Sequence, residues 1–367
     1  MDSSLNDERD QLARSVAGFL DKWSPESEVR RLMGAGGAAD PAVWSAMAEL
    51  GLQGLIIPES YGGGGSGYLE LALVLERMGG ALLVAPYLSS VVAASALIES
   101  DDEALKATYL PALAGGERIG ALALAEDSGR WDVDSIRTVA EADGDQYCLN
   151  GVKSYVLDGQ YADVFIVSAR SPAAVGLFAV DPGDPGVTVT PLRTLDATRP
   201  QARIEFSAAT AHALCTTGGA ALIDRVQAIA GICLAAEQVG GAQRCLDMAV
   251  GYAKVRVQFG QPIGSFQAIK HKCADMLVAV ESARSAVYYG ADVLDNGGDA
   301  TLASTVAQAH CSTAYTAVAG QNIQIHGGIG FTWDHPAHLY LKRAKSSEML
   351  FGDPACQLER LARLVGI

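Results

Sequence analysis

Apolar residues recur along this chain at two different spacings, which divide it into three regions. Up to about residue 115, and again from about residue 219, they recur every three to four positions, the spacing that predicts helices. Between these regions the apolar runs are short and separated by turn residues such as Asp143-Gly144 and Asn150-Gly151, which predicts strands. The predicted order of elements is therefore helices, strands, helices.

In the first region the helical spacing is clearest at residues 29–33, 42–50 and 69–78. A glycine-rich stretch at 62–67 precedes the third of these segments. It lacks the Lys-Ser/Thr pair with which a phosphate loop grips its ligand, so we interpret it as a flexible turn before a helix.

Seven strand-like runs fill the middle region, and their close spacing predicts a compact antiparallel barrel or sandwich. A nicotinamide-dinucleotide fold is disfavoured, because that fold alternates strands with helices. The runs are residues 119–124, 136–140, 147–149, 164–169, 175–180, 187–190 and 202–206.

The last region predicts a bundle of long helices. A helix of about 35 residues begins at about residue 219, and Ser265 is predicted to cap a second one that ends at Asn296-Gly297-Gly298. Two more are predicted at 301–325 and 336–349, and a short one from Pro354. The predicted fold class is α+β, with an N-terminal helical domain (1–116), a middle antiparallel β barrel or sandwich (117–217) and a C-terminal four-helix bundle (218–367).

Composition narrows the class of partner. The chain carries 42 acidic and 27 basic residues, a net charge of −15, so nucleic acid is not expected as a partner. Hydrophobic residues make up 49% and charged residues 19% of the chain, which predicts an oligomer with much buried interface. The polar N-terminus and the lack of an apolar run near ~20 residues predict neither a signal peptide nor a membrane span. Seven scattered cysteines without a CxxC pair are typical of a reduced, cytoplasmic protein.

Two stretches of the last region could meet a phosphate. RVQFGQPIGSFQAIKHKCADM, at 256–276, places Arg256 at a corner between helices, where a guanidinium can bind a pyrophosphate bidentately. QIHGGIGFTWDHPAHLYLKRA, at 324–344, contains Gly327 and Gly328, and glycines let the backbone approach phosphate oxygens closely. Taken alone, the first could be an arginine that caps helix carbonyls, and the second a plain tight turn between helices.

These two motifs, together with PESYGGGG at 58–65, resemble the acyl-CoA dehydrogenase family, and the order of domains agrees over essentially the whole chain. The resemblance implies that fold, FAD as cofactor, α,β-dehydrogenation of an acyl-CoA thioester, and an electron transfer flavoprotein as electron acceptor. It also implies that FAD lies between subunits. Six residues of this chain would contact its ADP portion: Arg256, Gln258, Phe259, Gln324, Gly327 and Gly328.

In the family a glutamate within Tyr-Glu-Gly-Thr removes the α-proton of the substrate. Counting forward from Pro336 without a gap places Phe351 at the glutamate and Asp353 at the threonine. Asp353 followed by Pro354 is typical of a helix start, with an acidic N-cap and proline at the first helical position. We therefore predict that the usual base position holds Phe351 and that Asp353 is a helix cap.

The same resemblance gives two alternative positions for the base. A gapped alignment anchored on Gln357 would place Asp353 at the base, so Asp353 is the fallback candidate. Some family members carry the base on the first long bundle helix, and the matching position here is Ala230. Both usual positions are therefore expected to lack a carboxylate.

The strand region departs from the family as well. Its Thr-Glu-Pro...Gly-Ser-Asp segment, which holds flavin and substrate, is matched only by Ala125-Glu126-Asp127 followed by SGRWD at 128–132. The Trp-Ile-Thr that abuts the flavin ring is matched by Tyr155-Val156-Leu157, which lacks the hydroxyl expected near flavin N5.

A chain that keeps the ADP-contacting motifs but lacks the base and the ring contacts resembles the base-lacking subunit of actinobacterial acyl-CoA dehydrogenases. Those enzymes work as two-plus-two heterotetramers, often on steroid or other bulky CoA thioesters. Our first hypothesis is such a subunit, in lipid or steroid side-chain catabolism. The second is a self-sufficient homomeric enzyme, a dimer of dimers with Asp353 or another carboxylate as base, and the third is a scaffold subunit without flavin. No metal is expected, because Pro336 spoils the helical pairing of His335 and His338.

Overall fold

The computed structural model describes residues 3–37, 40–172, 174–215 and 218–367. They form two compact units. The first is built from the segment up to Arg31, from Tyr68–Leu83 and from Gly231–Ile367; the second is built from Leu32–Gly67 and Val84–Ala230. The N-terminal helices are therefore shared between the two units.

The N-terminal region is helical, as the spacing of its apolar residues predicts. Asp40 and Asp102 cap α3 and α6 by accepting hydrogen bonds from backbone amides two or three residues further on. The stretch at 62–67 is a turn before α4, as predicted, and Gly62 in it adopts a left-handed φ of 81°. The helices are α1 (Ser3–Trp23), α2 (Glu26–Gly34), α3 (Pro41–Glu49), α4 (Tyr68–Gly80), α5 (Tyr87–Ile98) and α6 (Glu103–Ala114).

The middle region forms a seven-stranded sheet in its described residues, and each predicted run overlaps one strand. The strands pair in the order β4–β2–β3–β7–β5, and β5 pairs in turn with β4, so the sheet closes into a barrel. In addition, β1 pairs with β4 and β6 pairs with β7. Buried apolar side chains such as Leu149, Phe165 and Ile204 fill it. The strands are β1 (Gly120–Ala123), β2 (Val139–Asp143), β3 (Gln146–Leu157), β4 (Val164–Arg170), β5 (Val175–Val180), β6 (Val187–Pro191) and β7 (Gln201–Ala213).

One part of the sheet differs from the antiparallel prediction. β1 runs parallel to β4, with Gly120 opposite Val164 and Ala123 opposite Val167. Parallel partners need a long connection that returns the chain to the same end of the sheet, and the hairpin of β2 and β3 lies within that connection. Residue spacing within a strand does not reveal this non-local pairing.

The C-terminal helices follow the predicted boundaries closely. They are α7 (Gly219–Val255), α8 (Gln267–Asn296), α9 (Ala300–His326), α10 (Ala337–Glu348) and α11 (Pro354–Leu364). The prediction that Ser265 caps α8 was wrong. Its hydroxyl donates to the carbonyl of Pro262 at 2.7 Å inside a short 3-10 turn, and α8 begins two residues later without a side-chain cap.

Among the described helices, α7 is the one long and apolar enough to cross a membrane, yet 72% of its most apolar stretch is buried inside the protein, as in a core helix. The backbones of α7 and α4 are in direct contact. A Cβ on Gly240 would lie 1.7 Å from the carbonyl oxygen of Glu76, and a Cβ on Gly79 would lie 2.0 Å from that of Glu237. Glycine at both positions therefore allows the two helices to touch.

The helix α9 is 27 residues long and contains no Asp, Glu, Lys or Arg. One face of it is nevertheless exposed. The exposed side chains recur every three to seven residues along the helix: Val306, His310, Thr313, Ala317 and Gln324. We call these five residues the uncharged stripe.

Candidate functional site

The corner after α7 presents the first group of predicted cofactor residues. A short hairpin pairs β8 (Val257–Gln258) with β9 (Gln261–Pro262), and its turn residues Phe259 and Gly260 have φ values of 52° and 79°. Positive φ at both positions is the geometry of tight hairpin turns, and for phenylalanine it is strained. Phe259 is 92% exposed, and Arg256 and Gln258 are exposed beside it. The corner therefore displays a guanidinium, an amide and an aromatic ring.

The end of α9 presents the second group. Gly327 ends the helix with φ 64°, and its amide donates to the carbonyls of Gln324 and Ile323. Nothing lies within 4 Å of where a Cβ on Gly327 or Gly328 would stand, and both glycines and Gln324 are exposed. This open backbone surface fits the close approach of a diphosphate, and an amide side chain stands beside it.

The structure brings these two groups together. Tyr252 in the last turn of α7 stacks on His326 at the end of α9, with ring centroids 4.4 Å apart and planes 27° apart. Arg256 follows Tyr252 by one turn, and Gly327 follows His326 directly. All six predicted residues therefore lie at one end of the first unit, where their exposed guanidinium, amides and glycine backbone are groups of the kind that bind a diphosphate.

The position assigned to the base is a strained turn without a carboxylate. Phe351 is buried, with 8% of its surface exposed, and adopts a left-handed φ of 58°. Its carbonyl accepts a hydrogen bond from Nε2 of Gln357 at 2.8 Å, and the same Nε2 donates to Oε1 of Gln308 at 3.0 Å. The backbone of the turn is therefore held by the side chain of Gln357.

Asp353 forms the helix cap that the sequence predicts. Its Oδ1 accepts a hydrogen bond from the amide of Cys356 at 2.8 Å, and Pro354 occupies the first helical position of α11. The nearby carboxylate of Glu348 forms an ion pair with Lys345 at 2.5 Å. Whether Asp353 takes a proton stays a prediction, but its geometry is explained by the cap.

The alternative base position on α7 also lacks a carboxylate. Ala230 is fully buried. Glu237, seven residues later, forms a buried ion pair with Arg343 of α10 at 2.5 Å. This pairing leaves Glu237 fixed between helices.

In the barrel, Glu126 and Asp127 are bound by the protein itself. Burial would raise the pKa of Glu126, but Lys153, at 3.0 Å, and the backbone amides of Thr138 and Arg137 together lower it. Asp127 accepts from Ser154 at 2.5 Å and from the guanidinium of Arg203, which lowers its pKa. Both carboxylates therefore serve the fold.

The residues at the predicted flavin-ring positions are Tyr155, Val156 and Leu157, and the last of these has no hydroxyl. Leu157 is buried at the end of β3. Tyr155 is 38% exposed and lies in an irregular part of that strand, where its φ is 59°. Trp131, in the SGRWD segment, accepts a hydrogen bond at its carbonyl from the side chain of Gln227.

Sequence reasoning missed the rings that join the two cofactor segments. His326 stands within the second motif and Tyr252 stands four residues before the first, but no spacing rule pairs residues on different helices. His335, which was weighed only as a metal ligand, lies against His326 with centroids 4.3 Å apart. In the described residues no group of three His, Cys, Asp or Glu side chains could hold a metal ion.

Comparison with known proteins gives three family models that together span most of the chain. They are the acyl-CoA dehydrogenase N-terminal domain at residues 6–117, the middle domain at 121–209 and the C-terminal domain at 218–366. Acyl-CoA dehydrogenase IpdE2 of Mycobacterium tuberculosis is 35% identical over 358 residues, covering 97% of this chain and 96% of that protein. Mitochondrial isovaleryl-CoA dehydrogenase of Pongo abelii is 33% identical over 368 residues, covering 95% and 86%.

Solved structures resemble the whole chain. The ChsE4-ChsE5 complex of Mycobacterium tuberculosis matches with a TM-score of 0.90 and 30% identity, covering 98% of this chain and 97% of that one. A steroid ACAD named Tcur3481-Tcur3483 matches with a TM-score of 0.93 and 29% identity, covering 99% and 98%. Butyryl-CoA dehydrogenase of Megasphaera elsdenii matches with a TM-score of 0.93 and 26% identity over the full length of both chains.

Proposed function

The chain belongs to the acyl-CoA dehydrogenase family of FAD-dependent oxidoreductases, and from this premise we propose that it is the base-lacking subunit of a heteromeric acyl-CoA dehydrogenase. In this assembly the chain supplies residues to a flavin whose ring and catalytic base lie on a partner subunit. The partner is a second member of the same family that carries the glutamate.

The observation that carries the proposal is the turn at Phe351. Proton abstraction from the α-carbon needs a carboxylate held over the substrate, with its pKa raised by a dry pocket. Phe351 stands at that position by the ungapped register, and Asp353, two residues on, is engaged as an N-cap. The rival base position on α7 holds Ala230, and the nearest carboxylate after it on that helix, Glu237, is paired with Arg343, so neither offers a better candidate.

The cofactor residues support a role in binding rather than in chemistry. Arg256 would hold the pyrophosphate bidentately, Gln324 and Gln258 would offer amide hydrogen bonds, and the open backbone at Gly327 and Gly328 would let phosphate oxygens approach. When bound, FAD supplies the acceptor for the hydride that leaves the β-carbon of the thioester. The open glycine surface disfavours a scaffold subunit that holds no flavin.

The barrel also supports the proposal that this chain binds the cofactor while the partner subunit carries out the chemistry. Leu157 has no hydroxyl at the position matched to the family's threonine, and Asp127 is bound by Ser154 and Arg203. These differences remove polar contacts that the resemblance implies at the flavin ring, while the ADP-contacting residues remain. A self-sufficient homomeric enzyme would need both sets.

The comparisons support a substrate class for the proposal. One structural neighbour is described as a steroid ACAD, and another is a complex of two differently named chains. We infer that the substrate is a CoA thioester of a bulky acyl group, from lipid or steroid side-chain degradation, with an electron transfer flavoprotein as acceptor. The site of action would be the cytoplasm.

Flavin absorbance and turnover test the proposal together. The purified chain, alone and co-expressed with a family member that carries the glutamate, is assayed with an acyl-CoA and an artificial electron acceptor. Turnover should require the partner, and Phe351→Glu in this chain alone should not create it, because the ring contacts are also missing. Turnover by the chain alone that disappears in Asp353→Asn would establish the self-sufficient enzyme instead.

A further inference from the structure

Three aromatic rings form a column beside the proposed cofactor site. Tyr252 of α7 stacks on His326 of α9 with centroids 4.4 Å apart, and His326 lies against His335 with centroids 4.3 Å apart. His335 stands just before α10. We call Tyr252, His326 and His335 the ring column, and it joins three helices of the first unit.

Tyr252 and His326 each lie next to backbone that the cofactor would meet. The carbonyl of Tyr252 accepts a hydrogen bond from the amide of Arg256 at 2.9 Å. Nδ1 of His326 lies 2.8 Å from the carbonyl oxygen of Asn322, and His326 precedes Gly327 directly. Tyr252 stands one helical turn before Arg256 and His326 stands directly before Gly327, so displacement of either residue would shift the backbone of one cofactor segment.

The column also closes the loop that carries the glycines. His326 and His335 flank residues 327–334, and Nδ1 of His335 accepts from the amide of Ala337 at 3.2 Å, at the start of α10. Ile329 and Phe331 inside the loop are 50% and 80% exposed, so their side chains do not anchor it. The ring contact between the two histidines therefore joins the two ends of this loop, and Trp333 adds a second tie to α10 through His338 and Lys342.

The charge state of the column favours stacking at neutral pH. The pKa of His335 is lowered, first by burial and then by the neighbouring His326. His338 and Arg30 lower this pKa further, and Glu26 raises it only in part. The His335 ring is therefore uncharged at neutral pH, so two positive rings do not face each other. Neutral rings can pack closely in the geometry seen.

We propose that Tyr252 and His326 are positioning residues for the cofactor, because the ring column sets the distance between Arg256 and the backbone at Gly327 and Gly328. With that distance fixed, the guanidinium and the glycine backbone can reach the same diphosphate. This inference rests on the proposed cofactor site, but the column itself is a property of the chain and is measurable without flavin.

Hydrogen exchange of the full-length chain tests the column directly. Tyr252→Leu and His326→Leu should each speed amide exchange in two segments, 256–266 and 326–336, because loss of one ring frees both. Tyr252→Phe keeps the stacking and should leave exchange in both segments at the wild-type rate. Faster exchange confined to the helix that carries the substitution would overturn the inference.

FAD affinity, measured by quenching of flavin fluorescence in the native assembly, separates this inference from the proposed function. Tyr252→Leu and Arg256→Ala should each weaken FAD binding by about tenfold or more, and Tyr252→Phe should bind as the wild type does. Wild-type affinity in Arg256→Ala would refute the cofactor site itself. Weak binding by Arg256→Ala with wild-type binding by Tyr252→Leu would refute only the role of the column.

Discussion

Glu237 of α7 and Arg343 of α10 form an ion pair with a separation of 2.5 Å and side chains only 9% and 3% exposed. Removing one member of a buried pair leaves the other charge without compensation, which costs about 3–5 kcal/mol. We expect Arg343→Met to lower the free energy of unfolding by that amount, measured by urea unfolding at fixed protein concentration.

Arg9→Met provides the matched control, because its pair with Glu70 is more exposed, at 29% and 21%. That substitution should cost at most about 1 kcal/mol. The double variant Glu237→Met/Arg343→Met should recover part of the loss. A loss for Arg343→Met no larger than for Arg9→Met would show that the buried pair contributes little.

Arg256→Ala should release FAD without unfolding the chain. Arg256 is exposed at a helix corner, and its side chain has no role in packing. Flavin content per chain, read from the ratio of visible to ultraviolet absorbance, should fall while the melting temperature of the flavin-free protein stays unchanged. Arg14→Ala, an exposed arginine of α1, is the control and should keep its flavin. Full occupancy in Arg256→Ala would contradict the assignment.

Asp353→Asn should alter neither stability nor activity strongly. Asparagine caps helices almost as well as aspartate, so the expected loss of stability is at most ~1 kcal/mol. Turnover of an acyl-CoA by the native assembly should barely change, whereas loss of the partner's glutamate should abolish it. A fall of about a thousandfold with flavin still bound would mean that Asp353 takes the proton.

Lys153 makes the stability of the barrel depend on pH. Its side chain is fully buried, and burial, only partly offset by Glu126, lowers its pKa to about 8. The unfolded chain then binds more protons than the folded chain between pH ~8 and ~10.4, so the contribution of Lys153 to stability rises with pH in that window, by up to about 3 kcal/mol. The difference in unfolding free energy between the wild type and Lys153→Met should therefore grow from pH 8 to pH 10. A constant difference would place the pKa of Lys153 near its ordinary value.

The uncharged stripe of α9 predicts assembly through the C-terminal helices. A chain with a net charge of −15 repels its own copies, and this repulsion is weakest where the surface carries no charge. The stripe offers such a face from Val306 to Gln324, along ~27 Å of helix. Ala317→Arg should therefore reduce the mass measured by light scattering at micromolar concentration. Gln11→Arg, at an exposed position of α1, should leave it unchanged. A wild-type chain that stays monomeric with and without a partner would contradict this prediction.

Local chemistry could be predicted from the sequence, and contacts between distant segments could not. The cap at Asp353 was predictable because aspartate and proline act within one turn of the helix that they begin. Ser265 misled the prediction because its hydroxyl had a nearer acceptor in Pro262. The parallel pairing of β1 with β4 depends on how the chain returns through space, which residue spacing does not encode.

The candidate site shows the same limit. Six cofactor residues could be proposed because long motifs carried them, and the structure places them on one end of the first unit. The contact of Tyr252 with His326 could not be predicted, because each ring alone looks like an ordinary aromatic residue near a helix end. The two rings meet because α7 packs against α9.

The turn at Phe351 has a consequence for how such a chain can change over generations. Gln357 holds the turn by the carbonyl of Phe351, and Asp353 anchors the following helix, so the backbone at this position is fixed by contacts outside the Phe351 side chain. The ring of Phe351 is buried, so it fills space that a carboxylate could occupy only in a pocket that compensates its charge. After duplication of an ancestral gene, one copy could give up proton abstraction in a single substitution and still assemble with the copy that kept it.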